Sequence, residues 1–164
     1  MMENGEGNIA FPVSYTKMKY AHYLAFFASH KDPKAFKAFI EDVRRIVDNA
    51  PENADLCGTL PQEPPLIGEE GVTIGCSSNT SRFSRFKVLA SSKAIAHRYP
   101  MVVLQTDKHP YDSVICACIL AFVHHFPAAE ATSDGSLEDW QMGISLYEYS
   151  TERKAPMIHL REKK

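Results

Sequence analysis

The sequence predicts an α+β (or α/β) fold: a small sheet of about three to five strands packed with an N-terminal αα-hairpin and two C-terminal helices. Three observations carry this expectation. Apolar residues recur at spacings of three and four from Phe36 to Val47, which marks an amphipathic helix. The run from Met101 to Thr106 is nearly continuously apolar, which suits a strand. The run from Val114 to Val123 is apolar on every side, which suits a helix packed on most of its surface. At 164 residues the chain is long enough for one domain that buries about 70% of its unfolded surface. That domain divides into a helical hairpin over about 14–50, a proline-rich connector over about 51–70 and a sheet-and-helix part over about 71–160.

Taken in order, Ser14 caps a first helix over residues 15–29, with Met18, Ala21, Tyr23, Leu24, Phe26, Phe27 and Ala28 on a broad buried face. Asp32 and Pro33 restart the chain as N-cap and first helical residue of a second helix, which Pro51 stops. The connector is longer than most, as a functional lid or a mobile linker would be. Residues 71–78 are β-branched and read as a strand. Residues 82–92 have two readings: Phe86 to Ala90 pairs back on that strand as a hairpin, the favoured one, with a short helix over 91–98 after it, or Phe83, Phe86 and Leu89 at spacing three start a helix. The strand at Met101 is expected at the centre of the sheet, covered on both faces. Pro110 opens the apolar helix at 111–125 and Pro127 closes it. A short strand over 129–133 leads to the Asp134-Gly135 turn. Ser136 and Asp139 then form a capping box for a last helix over 137–149, with Leu137, Trp140, Ile144 and Tyr147 on one face. Met157, Ile158 and Leu160 add an edge strand in an otherwise charged tail.

The net charge of −2 is too small to draw nucleic acid or membrane by bulk attraction. Its distribution is uneven. Residues 71–106 contain Arg82, Arg85, Lys87, Lys93 and Arg98 and no acid, whereas the flanking stretches are acidic. Those five bases either face the acidic segments across the fold or form an anion-binding face. The four cysteines, Cys57, Cys76, Cys116 and Cys118, show neither a zinc-site spacing nor a disulfide framework, and no leader or membrane span is evident. A cytoplasmic protein without metal or cofactor is the expectation.

Four clusters offer chemistry. Cys76 and Arg82 are separated by five intervening residues directly after a strand, the spacing by which cysteine phosphatases wrap a phosphate with backbone N–H groups and an Arg fork. The intervening residues contain no glycine, however, and also describe an ordinary hairpin turn. His124 and His125 are adjacent on a helix, pointing about 100° apart, so they suit a helix C-terminus better than a shared metal. Asp107, His109, Tyr111 and Asp112 follow the strand at Met101, where a carboxylate, an imidazole and a phenol can perform acid–base work or cap the next helix. The run from Ser133 to Trp140 is explained by turn and cap chemistry, with Trp140 in the core or anchoring a partner.

The residues His109-Pro110-Tyr111-Asp112, the apolar helix after them and the run Ser133-Asp134-Gly135-Ser136-Leu137-Glu138-Asp139-Trp140 together resemble the C-terminal pattern of small uncharacterised proteins encoded by phages and other mobile elements. The resemblance implies an accessory role and supplies no catalytic residue. The function expected is therefore a non-enzymatic binding module for a macromolecular or anionic partner, protein or nucleic acid. Its surface would be the N-terminal hairpin or the basic stretch. The alternative is a phosphatase-like hydrolase using Cys76 and Arg82. A third option is a small-molecule pocket with Asp107 and His109 at its mouth.

Overall fold

The computed structural model describes residues 20–25, 32–90 and 101–160. The fold is α+β, with three helices and two small sheets among these residues. The first element is a strand, β1 (Ala21–Ala25), where the sequence predicts the middle of a helix. The predicted αα-hairpin is thus a strand followed by one helix. The reason is tertiary pairing. β1 accepts antiparallel partners on both edges, Leu24 opposite Val102 on one side and Ala131 on the other. Two full ladders outweigh a local helical pattern.

Helix α1 (Pro33–Asp48) starts as expected: the Asp32 carboxylate accepts from the N–H groups of Lys34 and Ala35, with Pro33 in the first turn. Its apolar stripe of Phe36, Phe39, Ile40, Val43 and Ile46 is buried, and Asp42 lies buried beside it. The connector then forms a single 3₁₀ turn (Glu52–Ala54) and two short strands, β2 (Leu56–Cys57) and β3 (Leu66–Gly68). Both pair antiparallel with β4 (Gly71–Cys76), so the connector is built into a sheet. β5 (Phe86–Leu89) completes the predicted hairpin on β4. Gly71 adopts φ +142°, and a Cβ there would stand 2.3 Å from the Val88 carbonyl oxygen, so the hairpin needs glycine at this point. The helix predicted over 91–98 lies outside the described residues.

Among the described residues, strand β6 (Met101–Gln105) pairs with β1 in the order β6–β1–β7–β8, at the end of that four-stranded order and not at the centre the sequence predicts. At its end the Gln105 N–H donates to the carbonyl of Phe83 in the loop before β5, tying this strand to the second sheet's hairpin. Helix α2 (Asp112–His125) is buried almost throughout its first eleven residues, as an all-round apolar helix must be. β7 (Glu130–Ser133) returns to β1, and the reciprocal Ser136/Asp139 capping box starts α3 (Leu137–Thr151). Trp140 and Tyr147 are fully buried, each stabilising the core by about 2–3 kcal/mol. Leu137, predicted on the same face, is 59% exposed because it stands at the first helical position, outside the packed turn. The tail adds β8 (His159–Leu160), parallel to β7.

The three helices pack on one another with α2 in contact with both others. Gly143 allows α3 to approach α2 closely: a Cβ there would meet the Cys116 Cβ at 2.4 Å. Asp42 of α1, 2% exposed, ties the three together, accepting from Arg45, from His125 Nε2 at 2.7 Å and from Arg153. Burial alone would push its pKa up, but the His125 and Arg153 hydrogen bonds win and hold the carboxyl below the usual range. His125 therefore serves a buried ion cluster, while His124 beside it is exposed.

Candidate functional site

The site is built outward from His22, the fully buried second residue of β1. Its Nδ1 lies 2.7 Å from Ser133 Oγ on β7, and its Nε2 lies 2.7 Å from Asp112 Oδ1 at the start of α2. Ser133 Oγ also accepts from the Trp140 indole N–H at 2.9 Å and from the Gly135 N–H at 2.9 Å. A hydroxyl oxygen has two acceptor lone pairs, and these two donors fill both. The only remaining role for Ser133 is to donate its hydrogen to His22 Nδ1. His22 consequently carries its ring proton on Nε2 and donates it to Asp112. The ring is clamped edge-on by Tyr20 and Trp140, with centroids 5.1 and 5.0 Å away.

Asp112 is the exit of this chain. Its side chain is 14% exposed. Oδ1 accepts from His22 and from the Thr106 hydroxyl, and Oδ2 accepts only a long thiol contact from Cys116 at 3.7 Å. Asp112 opens into a cleft of about 310 Å³, lined in part by Tyr20, Asn53, Lys108, His109, Ser113 and Asp139, with Pro51, Pro110 and Met142 as apolar walls. Ser113 is buried, and its Oγ has no hydrogen-bond partner. Lys108 sits at the rim, 4.9 Å above the Tyr20 ring and 3.4 Å from Asp139 Oδ1. Burial, then Asp112, Cys116 and Asp139, push the Tyr20 phenol far up, so it stays protonated and the field around it is negative. A larger groove of about 820 Å³ runs along α1, but its charged residues Asp32, Lys37, Glu41, Arg44 and Glu69 are all exposed rim groups. The converging polar groups belong to the smaller cleft.

Ser133, His22 and Asp112 have the composition of a hydrolase triad, but the wiring differs. The carboxylate holds Nε2 and the hydroxyl holds Nδ1, and the Ser133 oxygen has both lone pairs occupied by N–H donors. Cys116 is fully buried, and burial followed by the Asp112 charge raises its thiol well above the ordinary range. His22, Asp112 and Cys116 also place three donor atoms within 4.8 Å of one another, a spacing a metal ion could use. The proton on Nε2 occupies the lone pair a metal would need. If Nδ1 took the proton instead, it would find no acceptor left on Ser133. The trio fits a hydrogen-bonded network and does not fit a metal.

The residues singled out from sequence are dispersed. Cys76 is 1% exposed, and Asn79 bridges back to it in an antiparallel turn. Its thiol meets Ser78 Oγ at 3.1 Å. Arg82 is exposed and lies over the Phe83 ring. The segment therefore turns a hairpin, with Cys76 buried in it and Arg82 turned outward over Phe83. Arg85 donates to the carbonyls of Gly58, Asn79 and Cys76 and to Ser84 Oγ, so its guanidinium staples the loop. Lys87 is exposed on β5, and Lys93 and Arg98 lie outside the described residues. Among Asp107, His109, Tyr111 and Asp112, only His109 and Asp112 reach the cleft. Tyr111 is buried, donating to the Ser84 carbonyl and accepting from Asn79. Asp107 accepts from Gln105. His22, Ser113 and Tyr20 were not legible as site residues. A histidine followed by apolar residues in a strand pattern was the one available signal, and the helical alternative hid it.

No helix among the described residues is long and apolar enough to cross a membrane. Comparison with protein-family models, with curated proteins and with solved structures finds no match to the chain.

Proposed function

We propose that the protein is a non-enzymatic binding module that engages a protein partner through the cleft at the N-terminus of α2. The observation that carries this is the partly exposed Asp112 carboxylate beside the buried, unpartnered Ser113 hydroxyl, both held on rigid elements at a cleft with apolar walls. Such a site is preorganised, so little ordering entropy opposes binding. The hydroxyl and thiol groups suited to covalent chemistry are locked: Ser133 has no spare lone pair, and Cys76 and Cys116 are buried. Four free, buried cysteines accord with a reducing compartment, taken here as the cytoplasm. An accessory role in a phage or plasmid context agrees with the resemblance of the C-terminal segment.

The test is amide NMR mapping of the full chain against a panel of short peptides and against single- and double-stranded oligonucleotides at low salt. Peptide-induced shifts confined to Lys108–Ser113, Tyr20 and Asn53 are expected. Salt-sensitive oligonucleotide shifts at Arg82 and Lys87 with a silent cleft would overturn the assignment and make the basic strand the binding face.

A further inference from the structure

We infer that the cleft receives the ammonium or guanidinium head of a Lys or Arg side chain presented by a protein partner. This rests on the cleft being the binding face and names what it binds. The first argument is charge. Asp112 is held by three neutral donors: the His22 Nε2–H, the Thr106 hydroxyl and the Cys116 thiol. In this bonding pattern the His22 ring carries one proton: Nε2–H donates to Asp112, and Nδ1 accepts from Ser133, whose oxygen is already filled by Trp140 and Gly135. The nearby cation, Lys108, is engaged with Asp139, whose other oxygen is committed to the Ser136 capping box. Asp112 is therefore a carboxylate without a formal counter-charge, and its Oδ2 has acceptor capacity to spare. The field at Tyr20, set by Asp112 and Asp139, has the same negative sign.

The second argument is shape and chemistry. Ser113, the residue next to Asp112, lines the same cleft, and its Oγ is a buried hydroxyl without a partner. It offers a second acceptor for a head group with several N–H donors. Pro51, Pro110 and Met142 supply apolar surface for an alkyl stem. A bare divalent ion would leave a space of about 310 Å³ mostly unfilled, and of the two carboxylates at the cleft Asp139 is already committed to Lys108 and Ser136. A long side chain with a cationic tip fills both parts.

The experiment titrates the full chain with blocked lysine and blocked arginine (Nα-acetyl, C-terminal methylamide), following the Asp112 and Ser113 amides by NMR. Blocked norleucine and blocked glutamate match the stem without the cation, and butylamine represents a free amine. Saturable shifts are expected with lysine or arginine, and no saturation with norleucine or glutamate. Asp112→Asn, whose side-chain oxygen still accepts from His22, should weaken lysine binding about tenfold, the worth of one charge-assisted hydrogen bond. Ser113→Ala, which leaves the network under Asp112 untouched, should weaken it about threefold, in line with a neutral hydrogen bond. Glu130→Gln, on exposed β7, should change nothing. Equal binding of norleucine or glutamate at the cleft would overturn the cation while leaving the cleft as the binding face. Butylamine binding without blocked lysine would overturn the partner side chain as its source. No shift at the cleft with any probe, together with a silent cleft in the peptide panel, would overturn both.

Discussion

Ser133→Ala removes the node on which the buried network turns. The Trp140 indole N–H and the Gly135 N–H lose their acceptor, and His22 Nδ1 loses its donor. His22 and Trp140 are fully buried and Gly135 is buried, so water has little access to replace the lost bonds. Each orphaned group costs about 1–3 kcal/mol, and shared relaxation keeps the total near the lower end of the sum, about 3–5 kcal/mol. Against a domain stability of about 5–15 kcal/mol this is a severe loss. Urea unfolding followed by the fluorescence of Trp140, the only tryptophan, and by circular dichroism measures it. Nitrogen-detected imidazole NMR on the wild-type chain checks the underlying logic, since the proton on His22 is expected at Nε2. A destabilisation under about 1 kcal/mol would refute the energetic argument, because even one orphaned buried group should exceed it. A ring proton found on Nδ1 would refute the acceptor count and, with it, the claim that Asp112 lacks a counter-charge.

Asp42→Asn should destabilise the chain by about 2–4 kcal/mol at neutral pH, since Arg153 and His125 lose a buried charged partner. The folded carboxyl is held below its usual range, so its contribution is complete above the unfolded value near 3.9 and fades as pH falls toward the folded one. Urea curves should show the wild-type advantage constant at neutral pH and shrinking below about pH 4; an advantage that persists in acid would contradict this. Gly143→Ala should cost about 1–3 kcal/mol by driving α3 off α2, the reverse of the gain alanine brings in an open helix, and a thermal melt decides the sign. All four cysteines are buried, with burial pushing the thiols of Cys57, Cys116 and Cys118 up. Ellman's reagent should therefore find no fast thiol in the native chain and four in denaturant; a rapid reaction at Cys76 would reopen its case as a nucleophile.

What the sequence determined by itself is the part written in local code. Asp32 and Pro33 start α1, the Ser136/Asp139 capping box starts α3, the all-apolar run makes α2, and the β-branched stretch at Gly71 pairs with Phe86–Leu89. Each depends on residues three or four apart, or on a short hairpin. Only the tertiary structure decided β1. Its alternation is weak, and ladders to residues near 103 and 132 made it a strand. The same holds for the site. His22 meets Asp112 across 90 positions and Ser133 across 111, and no periodicity encodes so distant a pair. Local cap roles were correctly read for Ser136 and Asp139, whereas the Asp134 carboxylate of the predicted turn accepts from the Ala21 N–H of β1, 113 positions away. For Ser133 and Asp112 such roles concealed a hydrogen-bond count that closes only when β1, β7, α2 and α3 are brought together.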